Sequence, residues 1–264
     1  MSGVLHYLLK RFPPGEHLPR PDLIIGAGHG THLSVLCAKH ACGGKSVISM
    51  QPSLPAHWFD YCLVPDHDQP KPGGNIIITR GAINTLIPSA AHLNDQGLIL
   101  IGGPSRHFRW DERQLMDQIQ VILYRDKNIM WQVSDSPRTP HGTSKALANL
   151  EFTNMTYHSC QRTGTDWVAK QLAQACRVWV SADSVSMIYE SLTSGAMTGI
   201  LSVPELKPGK LTRTLNNLFT DAMVTSFPDW QNGKPLSYPP VVLDEALRCA
   251  GILINEISHG ISSP

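Results

Sequence analysis

Three segments of this chain set hydroxyls, together with glycines or arginines, just past an apolar run. That is the place where an α/β protein sets backbone donors against an anion. The strongest is Ser181-Ala-Asp183-Ser184-Val-Ser186-Met187-Ile-Tyr-Glu190-Ser-Leu-Thr-Ser-Gly195. Here Asp183, Ser186 and Glu190 stand three and four apart and so share one helix face. Val185, Ile188 and Leu192 form the apolar face, and Gly195 is a natural helix stop. Hydroxyls and amides at such a helix start suit a diphosphate. A carboxylate two turns in suits the diol of a ribose or hexose. The second segment is Ile101-Gly102-Gly103-Pro104-Ser105-Arg106-His107-Phe108-Arg109-Trp110-Asp111. Its paired glycines permit close approach to backbone, Arg106 and Arg109 could neutralise a diphosphate, and Asp111 reads as an N-cap. The third is Val133-Ser-Asp-Ser-Pro-Arg138-Thr-Pro140, where proline stiffens a loop carrying Arg138.

A fourth glycine cluster, Gly26-Ala-Gly28-His-Gly30-Thr31-His32, also links a strand to a helix. The third glycine of a dinucleotide fingerprint would fall at Thr31, and no acidic residue ends the next strand, so that fingerprint fails. Acid–base candidates lie nearby: Asp66-His67-Asp68, His29, His32 and His57. Neighbours in one strand-end loop cannot easily aim three side chains at a single metal, and no metal site is expected. No nucleophile elbow, Walker loop or H-E-x-x-H occurs.

The elements that must position these groups are legible as short β-rich runs. They are Asp22–Gly26, Ser46–Met50, Tyr61–Pro65, Asn75–Thr79, Leu98–Gly102, Ile129–Val133, Arg177–Ser181 and Gly199–Val203. Continuous apolar runs fit strands covered on both faces, as in parallel sheets. Helical spacing is expected over Thr31–Ala41, Asp111–Tyr124, Thr165–Cys176 and Asp183–Ser194. A last amphipathic helix is expected over Val241–Ile257, started by Pro239-Pro240, with Val242, Ala246, Cys249 and Leu253 on one face. Alternating strands and helices imply βαβ units. The expected fold class is therefore α/β, with two Rossmann-like halves and mostly parallel sheets.

Bulk numbers agree. The chain has 264 residues, of which 16% are charged and 42% hydrophobic, with 21 glycines and 20 prolines. That excludes a disordered chain or a coiled coil. Net charge is +1 without a basic run, which argues against nucleic acid as a partner. The six cysteines have no zinc-type spacing and read as reduced, mostly buried thiols. No spanning segment or signal-peptide order is present, so a cytoplasmic location is expected, with peripheral contact at the inner face of a membrane.

Read in order, several motifs resemble the mitochondrial fission protein family of plants and its bacterial relatives. They are Pro21–Gly28, Thr31–Leu33, Gln51–Pro55, Phe59-Asp60, Val64–Asp68, Asn75 with Thr79–Ala82, Ile101–Ser105, and Asp183–Met187 with Glu190. The bacterial members are assigned as glycosyltransferases of the GT-B type, with two Rossmann-like halves across a cleft. The resemblance implies an acceptor-side half over residues 1–93 and a nucleotide-sugar half over 94–240. It implies a C-terminal helix over 241–264 that crosses back to the first half. Twenty residues precede Pro21, fewer than in family members, which would leave the first half short of an opening βα unit. Gln51 stands where relatives often carry arginine, which bears on the acceptor side.

The function expected is transfer of a sugar from a nucleotide-sugar donor to a cell-surface glycan or lipid-linked acceptor, with no cofactor. The donor site would comprise Gly102, Gly103, Pro104, Ser105, Arg109, Arg138, Asp183, Ser184, Ser186, Met187 and Glu190. The departing diphosphate would be held by amides near Gly103 and Ser184–Ser186, with Arg109 or Arg138 as the cation. His32 or Asp66 would take the acceptor's proton. The alternative is a non-enzymatic adaptor of the mitochondrial-fission type that keeps the fold.

Overall fold

The structure, a computed structural model, describes residues 12–261. The described residues form two compact units, one of residues 12–83 with 245–261, the other of residues 84–244.

In the first unit, four parallel strands lie in the order β1 (Leu23–Ala27), β2 (Lys45–Ser49), β3 (Tyr61–Pro65), β4 (Ile76–Thr79). Strand residues alternate between faces, and the two cores divide accordingly. Ile24, Ile48, Cys62 and Val64 pack beneath α1 (His32–Cys42) through its Val35 and Leu36. Leu23, Val47, Leu63 and Ile77 face the C-terminal helix Glu245–Ile261 through Cys249 and Leu253. That helix is pinned to the sheet edge by Arg248, whose guanidinium donates to the Ile78 carbonyl at 2.7 Å and to Glu245. Asp60 ties β2 to β3: its carboxylate accepts the Ser46 N–H and hydroxyl, each at 2.8 Å, and pairs with Lys39 at 2.6 Å. Burial alone would raise its pKa, but Lys39 and the Ser46 donors hold it below the ordinary carboxylate value.

The second unit holds six parallel strands: β5 (Leu93–Leu100), β6 (Met130–Ser134), β7 (Met155–His158), β8 (Ala175–Ser181), β9 (Met197–Leu201) and β10 (Thr225–Ser226). Their order is β10-β9-β8-β5-β6-β7. The chain runs from β5 outward to β7, then returns to place β8 on the other side of β5. The carboxyl ends of β5 and β8 therefore flank a topological switch point. One face carries Leu98, Leu100, Val178 and Val180 against α4 (Trp167–Gln174), α5 (Val185–Ser194) and α6 (Lys210–Thr220). The other carries Ile99, Ile101, Trp131, Val133 and Trp179 against α2 (Glu112–Arg125), α3 (His141–Ala148) and α7 (Phe227–Gln231). The C-terminal helix, α8, returns to the first unit.

Several expectations are corrected. Strands β7 and β10 and helices α3, α6 and α7 fall outside the expected elements. β7 reads Met-Thr-Tyr-His, an edge strand without an apolar run, whereas α6 does carry a Leu211, Leu215 and Leu218 stripe at helical spacing, on the face opposite Asn216 and Asn217. α8 begins at Glu245, not after Pro239-Pro240, so Val242 precedes it and is exposed. None of the six cysteines forms a disulfide. Among the described residues, no helix is long and apolar enough to cross a membrane.

Two strand glycines make room for the largest buried side chains. A Cβ on Gly97 or Gly199 would sit 2.4 Å from the ring of Trp131 or Trp179, both fully buried. Overpacking of this kind costs about 1–3 kcal/mol. Gly199→Ala is expected to lower the thermal midpoint by that mechanism; an unchanged midpoint would show that Trp179 is loosely held.

Candidate functional site

The carboxyl ends of β5, β6 and β8 bring three of the sequence motifs together in the second unit. Ser181 closes β8, and its hydroxyl accepts the Gly102 N–H at 2.8 Å. Asp183 follows, and its Oδ2 accepts the Gly103 N–H at 2.9 Å and Arg138 Nη2 at 3.0 Å. Arg138 Nη1 donates to the Gly103 carbonyl at 3.1 Å. Thr139 Oγ1 donates to the Ile101 carbonyl at 3.2 Å and bonds that of Gly102. Only glycine fits at both positions. A Cβ on Gly102 would lie 2.2 Å from the Asp183 carboxylate, and one on Gly103 would lie 2.2 Å from the Arg138 carbonyl.

This geometry redistributes the expected roles. The N–H groups of Gly102 and Gly103 already have acceptors within the chain, so they are not free for a diphosphate. Asp183 has no exposed side-chain surface; it is turned inward, with Oδ1 lacking a partner. Pro104 is exposed, and the Ser105 hydroxyl accepts the N–H groups of His107 and Phe108, each at 3.2 Å, closing its own turn. Arg109 is held by its backbone N–H on the Pro204 carbonyl at 2.8 Å, and its exposed guanidinium has no ion pair among the described residues.

The start of α5 is the open donor. Ser184 is its N-cap residue but makes no side-chain cap, so the first-turn N–H groups of Val185, Ser186 and Met187 lack one. Ser186 is exposed and Met187 half-buried. Glu190 lies one turn beyond Ser186 on the same face. It makes no hydrogen bond or ion pair among the described residues, and burial pushes its carboxyl above the ordinary glutamate value.

Sequence reading missed the neighbouring network around Asp135, at the end of β6. Its carboxylate accepts the Cys160 N–H at 2.7 Å, the Ser144 hydroxyl at 2.6 Å and the Tyr157 hydroxyl at 2.6 Å. Burial favours its neutral form, but these three donors outweigh that and lower its pKa. The reverse holds for Tyr157, pushed up to about 12 by burial and by Asp135. Nothing in the local pattern signals this network, because its partners lie on β6, α3 and the β7 loop.

In the first unit, His32 is buried on α1. Its Nδ1 accepts the Ser53 N–H at 3.3 Å and lies 2.9 Å from the Ser53 hydroxyl. Nε2, on the other side of the ring, is buried and has no hydrogen-bond partner. Burial and His29 lower its pKa. Asp66 opens a short 3-10 turn after β3, about half exposed, with Oδ1 on the His67 N–H at 2.7 Å. No hydrogen bond or ion pair joins His32 to Asp66 among the described residues.

Two units, each a parallel sheet covered by helices, define the class: an α/β protein with Rossmann-like halves of the GT-B type. Residues 5–257 match the mitochondrial fission ELM1 family, and the chain belongs to it. Among curated proteins it is 26% identical over 227 residues to "Uncharacterized protein RP120" of Rickettsia prowazekii (strain Madrid E), covering 68% of this chain and 64% of that one. The matched region is thus just under two thirds of that relative's length. Among solved structures, a candidate UDP-N-acetylglucosamine 2-epimerase from Listeria monocytogenes superposes with a TM-score of 0.60 at 11% identity, covering 92% of this chain and 76% of that one. A Methanocaldococcus jannaschii UDP-GlcNAc 2-epimerase, solved with UDP-GlcNAc and UDP, gives 0.46 at 12%, covering 96% and 80%. At such identities the likeness to the first is one of fold alone.

Two outcomes follow from the site. Asp183→Ala leaves the Gly103 N–H without its acceptor, which is expected to cost about 1–3 kcal/mol in urea unfolding. Equal stability would mean that water replaces the carboxylate. For Glu190, a carboxyl raised in the folded state favours folding while protonated. Stability should therefore fall as pH rises from the unfolded value through the folded one. Glu190→Gln should flatten that fall, read as unfolding free energy between about pH 4 and 8. Parallel profiles for the two proteins would remove Glu190 from the account.

Proposed function

We propose that this chain transfers a sugar from a nucleotide-sugar donor, held at the carboxyl edge of the six-stranded sheet, to a glycan or lipid-linked acceptor. The observation that carries this is the uncapped start of α5 at the switch point, with unpartnered Glu190 one turn along the same face. An uncapped helix start favours a diphosphate, and the favour grows as the leaving group gains charge. Arg109, exposed and without an ion pair, is the cation better suited to that charge; Arg138 is already engaged by Asp183. Glu190 binds donor hydroxyls.

The first unit serves the acceptor in this reading. His32 or Asp66 takes the acceptor's proton. Asp66 has the freer lone pairs, because Nδ1 of His32 already takes the Ser53 N–H. The location is the cytoplasm, peripheral at the inner face of a membrane, where a lipid-linked acceptor would be presented.

One observation favours a second reading, a non-enzymatic adaptor. The N–H groups of Gly102 and Gly103 and the Arg138 guanidinium are satisfied within the chain, so the edge is stable without ligand.

Calorimetric titration with UDP-, GDP-, ADP- and CMP-sugars separates the two. One nucleotide sugar is expected to bind below millimolar concentration, and Glu190→Ala to weaken it about tenfold, or 1.4 kcal/mol. Absence of binding at millimolar ligand favours the adaptor. Unchanged affinity in the variant moves the donor away from α5.

A further inference from the structure

In the first unit, α8 covers only part of its sheet. It sits on the face that carries Leu23, Val47, Leu63 and Ile77, through Cys249 and Leu253. At its start it leans on the β4 edge. The Arg80 N–H donates to Glu245 Oε2 at 3.0 Å, and Arg248 donates to the Ile78 carbonyl. β1 forms the other edge of the sheet. There Leu23 reaches the shared core, but Ile25, two residues on and on the same face, is 64% exposed. Ala27, next on that face, is exposed as well. A slot is therefore open beside α8, floored by Ile25 and Ala27.

The flank of α8 that borders this slot is apolar. Around the helix, Leu247, Ala250 and Ile254 lie opposite Glu245 and Arg248, and so on the β1 side. Leu247 is 69% exposed, Ile254 60% exposed, Ala250 exposed and Ile257 half-buried. These four stand three, four and three residues apart, the spacing of the a and d positions of a heptad. A helix that only covers a sheet carries one apolar stripe; α8 carries this second one beside Cys249 and Leu253. The seam is also free of charge. Glu245, Arg248 and Glu256 fall outside it, and the residues that flank it, Ala246, Gly251, Leu253 and Ser258, are uncharged. Two copies of the seam therefore meet without like charges, whereas a charged partner gains nothing there. A Cβ on Gly251 would meet nothing within 4 Å, so the space beside the seam is open.

We propose that α8 pairs antiparallel with α8 of a second copy of this chain, each helix filling the slot beside the other. Ridge and slot belong to the same chain, so the contact is isologous and closes as a dimer. Antiparallel pairing sets a positions against d positions. Ala250 then meets the partner's Ile254, and Leu247 meets the partner's Ile257, so the small residue is always matched by a large one. Parallel pairing would stack Ala250 on its own copy and leave a gap. The helix has 17 residues and is about 25 Å long. With the floor beside it, the strip is about 20 Å wide. Each copy would bury about 500 Å² and the pair about 1,000 Å², the low end for a specific interface. The dimer is therefore expected to form at micromolar concentrations rather than below.

Sedimentation velocity of the full chain across the micromolar range tests this. A concentration-dependent shift from monomer to dimer is expected. I254E on the seam, and separately I25K on the slot floor, should each weaken association at least tenfold. I87E, at an exposed apolar residue of the second unit, should leave it unchanged. A mixture of A250K chains with I254E chains should associate more tightly than either alone, because the opposite charges meet across the pair. All four substituted residues are exposed, so folding should be retained, and far-UV circular dichroism checks this. A chain that stays monomeric throughout overturns the proposal. So does a dimer that I254E and I25K leave intact, or a mixture no tighter than its parts. Vesicles of phosphatidylcholine, with and without phosphatidylglycerol, test the other occupant. A monomer that sediments with them, and loses that binding in I254E, assigns the stripe to a lipid surface instead. Failure of nucleotide sugars to bind at α5 leaves this result unaffected, because α5 belongs to the second unit.

Discussion

The carboxylate of Asp183 holds the carboxyl edge of the six-stranded sheet together. It leaves β8, reaches under the Gly102-Gly103 turn that follows β5, and engages Arg138 from the loop after β6. Three strand ends are thereby fixed by one buried anion. Its charge is tolerable there because a guanidinium and a backbone N–H meet it at hydrogen-bond distance. The glycine pair is a consequence. With the carboxylate on one side and the Arg138 carbonyl on the other, no Cβ fits at either residue.

With these groups satisfied internally, the edge is divided into partnered and unpartnered groups. The turn after β5 and the Arg138 loop form a rigid frame. The groups left with free hydrogen-bonding capacity are the start of α5, Glu190 and Arg109. One strand further along, Asp135 plays for β6, α3 and the β7 loop the part that Asp183 plays for β5 and β8. In each case a buried carboxylate consumes donors from several loops.

Much of the fold was legible in the residues. Runs such as Leu98–Ile101 and Arg177–Ser181 announce strands covered on both faces, and the structure places them at the centre of a six-stranded parallel sheet. The α2 and α5 patterns were equally clear, since apolar residues recur there at helical spacing. What was illegible had weak local signals. β7 is a short edge strand, and α3 begins His-Gly-Thr after a proline. The two glycines under Trp131 and Trp179 looked like ordinary strand residues, since their meaning depends on which ring lies across the sheet.

The sequence by itself determined the class: parallel α/β units, motifs at strand ends, and membership of a family recognised by motif order. It also singled out the segments around Gly102, Arg138, Asp183 and Glu190, because glycines, caps and helical spacing are local properties. Only the tertiary structure decided what each residue does. A one-dimensional pattern cannot tell whether Asp183 faces a ligand or the Gly103 amide, because both suit an acid at a helix start. That choice depends on strand order, which sets β5 between β6 and β8 and so brings residues about 80 and 45 positions from Asp183 within 3 Å of one carboxylate.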